Sequence, residues 1–176
     1  MYQTTSSRQS QLSRYSFTCN CDRCVNHEHD NQLGGYSCKN KNCGNLLVAE
    51  STETLVCEKC SNKVSLSLYL QAEDKVVQHQ NKAVSDANRD DYKSALTSVI
   101  ESLKVGSFLS DFHHINYQSF QCAAVTFEEL GNFSNAVKYI EKQLKCLELF
   151  KDGTMLVKEV SLNCYKFGRI CLKFSI

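Results

Sequence analysis

The chain has 176 residues, 42% of them hydrophobic and 22% charged, with 20 Lys plus Arg against 19 Asp plus Glu for a formal charge of +1. That is globular composition, enough for one ordinary domain or for a small module plus a helical domain, and it excludes wholesale disorder and collagen-like order. A balanced charge supplies no strong field to draw the chain to nucleic acid or anionic lipid. No apolar run reaches the roughly 18 residues of a membrane span, and the polar first thirty residues lack an apolar signal core, so a cytoplasmic or nuclear protein is expected. There are 11 cysteines and no proline.

Residues 1–16 form a polar segment rich in Ser, Gln and Thr. Residues 17–62 are turn-rich and carry seven of the cysteines, from Cys19 to Cys60, with one short apolar stretch at Leu46, Leu47 and Val48. About forty such residues cannot bury enough surface to fold unaided, so a bound metal has to stabilise them. In a reducing compartment closely spaced cysteines bind metal more often than they pair, and zinc is the leading candidate.

The two cysteine clusters differ. Cys38-x4-Cys43 and Cys57-x2-Cys60, separated by 13 residues, present four thiolates on two tight turns. Four thiolates make a closed tetrahedral zinc site with no open position for water or substrate, hence a structural one, and Gly44 suits the turn after Cys43. Cys19-x-Cys21-x2-Cys24 supplies only three thiolates. Its fourth ligand is either His27 or His29, themselves ordinary loop histidines in a polar stretch, or a group from sequence outside this chain.

Residues 63–176 change character, with apolar residues at helical spacing. Helices are predicted at about 64–88, 91–105, 112–130, 133–150 and 154–173, separated by Asn88-Arg89-Asp90, Gly106-Ser107, Gly131-Asn132 and Asp152-Gly153. Tyr92, Ala95, Leu96 and Leu103 precede Phe133, Ala136, Val137 and Leu144 by 41 positions. That spacing fits tetratricopeptide-like hairpins, although it exceeds the standard period of about 34 residues, and an ordinary helical bundle is the alternative. The last predicted helix opens a third hairpin without its partner, so the helical domain reads as truncated at its C-terminus. Cys122, Cys146, Cys164 and Cys171 sit among apolar residues and read as core. His113 and His114 read as the solvated first turn of a helix capped by Ser110 or Asp111. The expected fold is therefore mainly α: a small, zinc-stabilised, irregular module followed by antiparallel helical hairpins. Basic residues around the cysteines are matched by acidic ones, so no nucleic-acid partner is expected. No P-loop, dinucleotide fingerprint or other catalytic motif is present.

Arg14-Tyr15-Ser16-Phe17-Thr18-Cys19-Asn20-Cys21-Asp22-Arg23-Cys24 resembles the post-SET segment of the SET and MYND domain-containing (SMYD) family of protein lysine methyltransferases, whose pattern is Tyr-x-Phe-x-Cys-x-Cys-x2-Cys. The later cysteine pairs and helical hairpins also resemble that family, most closely the branch with tetratricopeptide repeats. The resemblance implies a zinc on Cys19, Cys21 and Cys24 whose fourth ligand is a cysteine from the end of a SET core. It implies that Phe17 stacks on the adenine of S-adenosylmethionine, that Tyr15 lines the channel for the target lysine, and that the helical repeats receive a protein substrate or partner. Read from the residues alone, both aromatics are packing residues of a small cluster. The family's Asn-His-x-Cys motif, glycine-rich cofactor loop and MYND finger do not occur in this sequence. The chain alone is accordingly expected to be inactive, as the C-terminal portion of such an enzyme. A free-standing zinc-binding, helical-repeat adaptor is the alternative.

Overall fold

Apolar side chains at three- and four-residue spacing along the second half of the chain produce helices, and the turn-rich cysteine segment produces a small sheet. The computed structural model describes residues 3–25, 29–40 and 43–148. The predicted helix at 154–173, with Cys164 and Cys171, lies outside the described residues, as does His27. The described chain is mainly helical with one three-stranded sheet, and it divides into two units: Met1–Tyr69 with Phe108–His114, and Leu70–Ser107 with Ile115–Ile176.

In the first unit, α1 (Thr5–Ser13) runs through the segment that the sequence shows only as polar. Its N-cap Thr4 accepts from Ser7 N, and the Thr5 N–H donates to Asp30 Oδ1 at 3.0 Å, which ties the helix to distant sequence. Two short turns follow, α2 (Asp22–Val25) and α3 (Asp30–Leu33). Strands β1 (Leu47–Ala49), β2 (Thr54–Cys57) and β3 (Lys63–Ser65) then form an antiparallel sheet in the order β1-β2-β3, with Leu47 opposite Cys57 and Leu55 opposite Val64. The module is thus less irregular than its composition suggests.

An aromatic group holds this unit together. The Tyr36 ring lies 5.0 Å from Tyr69, 6.1 Å from Phe108 and 6.1 Å from His113, and Phe108 meets Tyr69 edge-on at 5.3 Å. His113 corrects the expectation of a solvated helix start: it is 1% exposed, and burial, with a smaller contribution from His114, pushes its pKa down to about 3. The neutral imidazole presents its ring face to Tyr36 within this aromatic group. Ser110 is buried too, its hydroxyl donating to the Gln32 carbonyl and its N–H to the Gly35 carbonyl at 3.0 Å.

The other helices match their predicted positions closely: α4 (Leu66–Ala87), α5 (Tyr92–Val105), α6 (His114–Glu129) and α7 (Phe133–Leu147). The core of the second unit is Ala83, Val99, Ala123, Ala124, Phe127, Ala136 and Ile140, against which Phe133, Val137 and Tyr139 pack. Four of these seven core residues are alanines, and Phe127 stacks on Tyr139 at 5.7 Å. Cys146 is buried as expected, while Cys122 is half-buried. No described helix is long and apolar enough to cross a membrane.

The 41-residue offset extends to the hairpin turns. After α4, Asp90 adopts φ 59°, its N–H bonds the Ala87 carbonyl, and the Asp91 N–H bonds the Asp86 carbonyl. After α6, Gly131 adopts φ 71°, its N–H bonds the Glu128 carbonyl, and the Asn132 N–H bonds the Phe127 carbonyl. Each is a Schellman closure whose last residue at once caps the next helix: Asp91 accepts from Ser94 N and Asn132 from Asn135 N. Ala95 and Ala136, both 0% exposed, then occupy equivalent positions in α5 and α7.

Left-handed backbone is the strained point of each turn. Gly131→Ala is expected to lower stability by about 1 kcal/mol in denaturant unfolding, and Asn132→Ala by a similar ~1 kcal/mol. Unchanged midpoints for both would contradict this account of the turn.

Candidate metal centres

Cys38 and Cys43 sit on one knuckle and Cys57 and Cys60 on the other. The Cys38 N–H bonds the Asn45 carbonyl at 2.8 Å, and the Cys43 N–H bonds the Asn40 carbonyl at 3.0 Å, with Gly44 at φ 60° reversing the chain as its sequence position suggests. On the opposite side Cys57 ends β2. The Cys57 N–H bonds the Asn62 carbonyl, the Ser61 N–H bonds the Cys57 carbonyl, and Ser61 takes φ 56°. Both knuckles are therefore fixed by main-chain hydrogen bonds.

The result is a compact set of four sulfurs. All lie within 4.8 Å of one another, with Cys38 Sγ to Cys60 Sγ and Cys43 Sγ to Cys57 Sγ both 3.5 Å. A tetrahedral zinc with Zn–S bonds of ~2.3 Å sets sulfurs about 3.8 Å apart, so the four thiols fit zinc with little adjustment. Cys57 is 0% exposed and Cys38 nearly as buried. A cation there would be enclosed by protein sulfur on all four sides, which suits a structural centre and leaves no position for substrate.

Electrostatics prepare one thiolate. Main-chain donation from Asn62, together with Asn40, draws the Cys60 pKa down to about 6. At Cys43 the Asn45 N–H lowers the pKa, but burial and the Cys57 and Cys60 thiols outweigh it and leave the value near about 11. Cys38 is raised in the same way: the hydrogen bond from Asn40 is outweighed by burial, Cys60 and Cys57. A metal bound by all four sulfurs would displace the protons that burial favours on Cys38 and Cys43. Asn62 Nδ2 also reaches Cys38 Sγ at 3.8 Å. Asn40 and Asn62 are the site residues that sequence reasoning missed, and asparagine in a turn is too common to have marked them.

Cys19, Cys21 and Cys24 also come together, with their sulfurs within 4.8 Å of each other. Cys21 is exposed, Cys19 half-buried and Cys24 buried, and burial pushes Cys24 up to about 11, with the Cys19 and Cys21 thiols adding to it. The Cys24 N–H bonds the Cys21 carbonyl at 2.7 Å, which closes the loop. Gln9 of α1 braces it from the other side: its Nε2 donates to the Cys19 carbonyl at 2.7 Å and its Oε1 accepts the Cys19 N–H at 3.1 Å. Among the described residues no fourth ligand joins this cluster. His29 is the half-buried N-cap of α3 and is not part of it.

Tyr15 and Phe17 immediately precede this cluster. Ser16, at φ 53°, ends α1, and Tyr15 is left 81% and Phe17 54% exposed. Packing in a small cluster, the expectation from residue type alone, is thereby corrected.

The sequence matches no family model, and no curated protein matches it. Both cysteine clusters can hold zinc on the chemistry of their donor sets alone. The chain with Cys57→Ser is expected to lose one equivalent of bound zinc by elemental analysis, and the β2 amides to exchange at least tenfold faster with solvent. Retention of that zinc, or unchanged exchange, would contradict the assignment of Cys57 as a ligand.

Proposed function

We propose that this chain is the C-terminal portion of a SMYD-like protein lysine methyltransferase and acts with a SET core that it does not itself contain. The observation that carries the reading is a three-thiol half-site beside two uncovered aromatics. Cys19, Cys21 and Cys24 converge without a fourth ligand among the described residues, and Tyr15 and Phe17 stand exposed next to them. Large exposed aromatics are costly unless another surface covers them, and three thiolates leave a tetrahedral zinc one ligand short.

In this reading a cysteine of the SET core completes the first zinc, which fixes the segment as a lid. Phe17 offers a ring face for the adenine of S-adenosylmethionine, and Tyr15 lines the passage of the target lysine. S-adenosylmethionine, held mainly by that core, would supply the methyl group for a deprotonated lysine amine. Binding and orientation are the contribution of this chain's residues. Cys38, Cys43, Cys57 and Cys60 serve only as structure. The helices, with their 41-residue repetition of turn, cap and buried alanine, are tetratricopeptide-like hairpins forming a surface for the protein substrate or a partner.

A second reading is favoured by the completeness of the four-cysteine set within the chain: a free-standing zinc-and-hairpin adaptor without enzymatic activity. Metal content separates the two. The purified chain is expected to hold one firmly bound zinc, with iodoacetamide alkylating Cys21 and Cys19 while sparing the other set, and to transfer no methyl group alone. Two firmly held zinc ions with all seven cysteines protected would overturn the methyltransferase reading in favour of the adaptor.

A further inference from the structure

Within the second unit, α4 and α6 enclose a cleft of about 530 Å³, inside the roughly 300–1,000 Å³ range of ligand sites. Along α4 the lining residues Asn81, Val84 and Asn88 recur at spacings of three and four, and along α6 Gln118, Gln121 and Val125 do the same. All six side chains are exposed. Each wall therefore carries two carboxamides and one solvent-facing valine. Although 22% of the chain is charged, no Asp, Glu, Lys, Arg or His lines the cleft among the described residues.

The four carboxamides form no side-chain hydrogen bond with a described residue, unlike the buried Gln80 beside them, which donates to the Ile115 carbonyl at 2.8 Å and to Ser119 Oγ at 2.6 Å. A carboxamide offers a donor and an acceptor side by side, the same pair that a peptide unit offers. The molecule already contains this recognition once, where Gln9 grips both main-chain groups of Cys19. An uncharged cleft has no counter-charge for an ion drawn out of water, so an acidic or basic ligand gains nothing here.

We propose that the α4–α6 cleft holds a short, extended, uncharged segment of a partner protein, gripped through its main chain by Asn81, Asn88, Gln118 and Gln121, with small apolar side chains against Val84 and Val125. The proposal rests on the reading of the helices as a partner surface. The stretch from Asn81 to Asn88 spans about 10 Å of helix, which accommodates about three residues of extended chain.

The test is selection of a displayed dodecapeptide library on the full chain, followed by calorimetry with a selected peptide blocked at both ends. Expected are peptides uncharged at their centre, whose affinity changes less than about twofold between about 50 and 500 mM salt. Asn81→Ala with Gln121→Ala should weaken binding at least about tenfold with the helical circular dichroism unchanged, since both sites are exposed, and N-methylation of the central peptide amides should abolish it. Selection of charged, salt-sensitive peptides, or of none, would overturn the proposal. So would full affinity in the double variant, or a photo-crosslinker placed at Val84 capturing residues 149–176 of the same chain. Zinc content and alkylation are read separately, so failure of the methyltransferase reading is distinguishable from failure of this one.

Discussion

Four cysteine sulfurs crowd within 4.8 Å of each other in a segment whose three strands are three or four residues long and deeply bury only Leu47, Leu55 and Cys57. Strands of that length do not hold thiols in contact by their own packing, and four thiolates would repel. A bound cation would reverse the sign of that interaction and link the two knuckles that main-chain hydrogen bonds shape. The carbonyls of Asn40, Asn45 and Asn62 accept from the cysteine main chain and set the local geometry, while donation from Asn62 and Asn40 draws the Cys60 pKa down. The Tyr36, Tyr69, Phe108 and His113 rings, with the buried Leu33 and Leu109, add apolar mass to this unit.

The helical unit relies on different physics. Its alanines at positions 83, 95, 123, 124 and 136 are buried, and its two interhelical turns use the same device, a left-handed residue followed by a residue that ends one helix and caps the next. Using one residue for two termini keeps the connections short. A buried polar chain, Gln80 to Ser119 to Ser102, with the Ser102–Ser119 oxygens 3.0 Å apart, fixes the pairing of helices that a purely apolar seam would leave free to slide. The exposed carboxamides of the cleft lie on the same two helices but are left for solvent or a ligand.

Local patterns were legible in the sequence, and tertiary ones were not. Cysteine spacing and helical periodicity are short-range signals, so both clusters and the positions of α4, α5, α6 and α7 could be read from residue order. Helix α1 was hidden because Thr5–Ser13 is polar apart from Leu12 and is anchored by Asp30, distant in sequence. The burial of His113 is not legible locally because Tyr36, which stacks on it, is distant in sequence and reaches it only after folding. The exposure of Tyr15 and Phe17 follows from a left-handed Ser16, a conformation that serine does not announce. The short strands escaped notice because Thr54–Cys57 and Lys63–Ser65 lack a sustained alternation.

The account depends most on the four-thiolate centre, and X-ray absorption at the zinc edge examines it directly. The chain with Cys19, Cys21 and Cys24 changed to serine isolates that centre. Four sulfur neighbours at ~2.3 Å, with no nitrogen or oxygen in the first coordination sphere, are predicted. Fewer than four sulfurs, a light-atom ligand, or failure of the chain to retain zinc would contradict it.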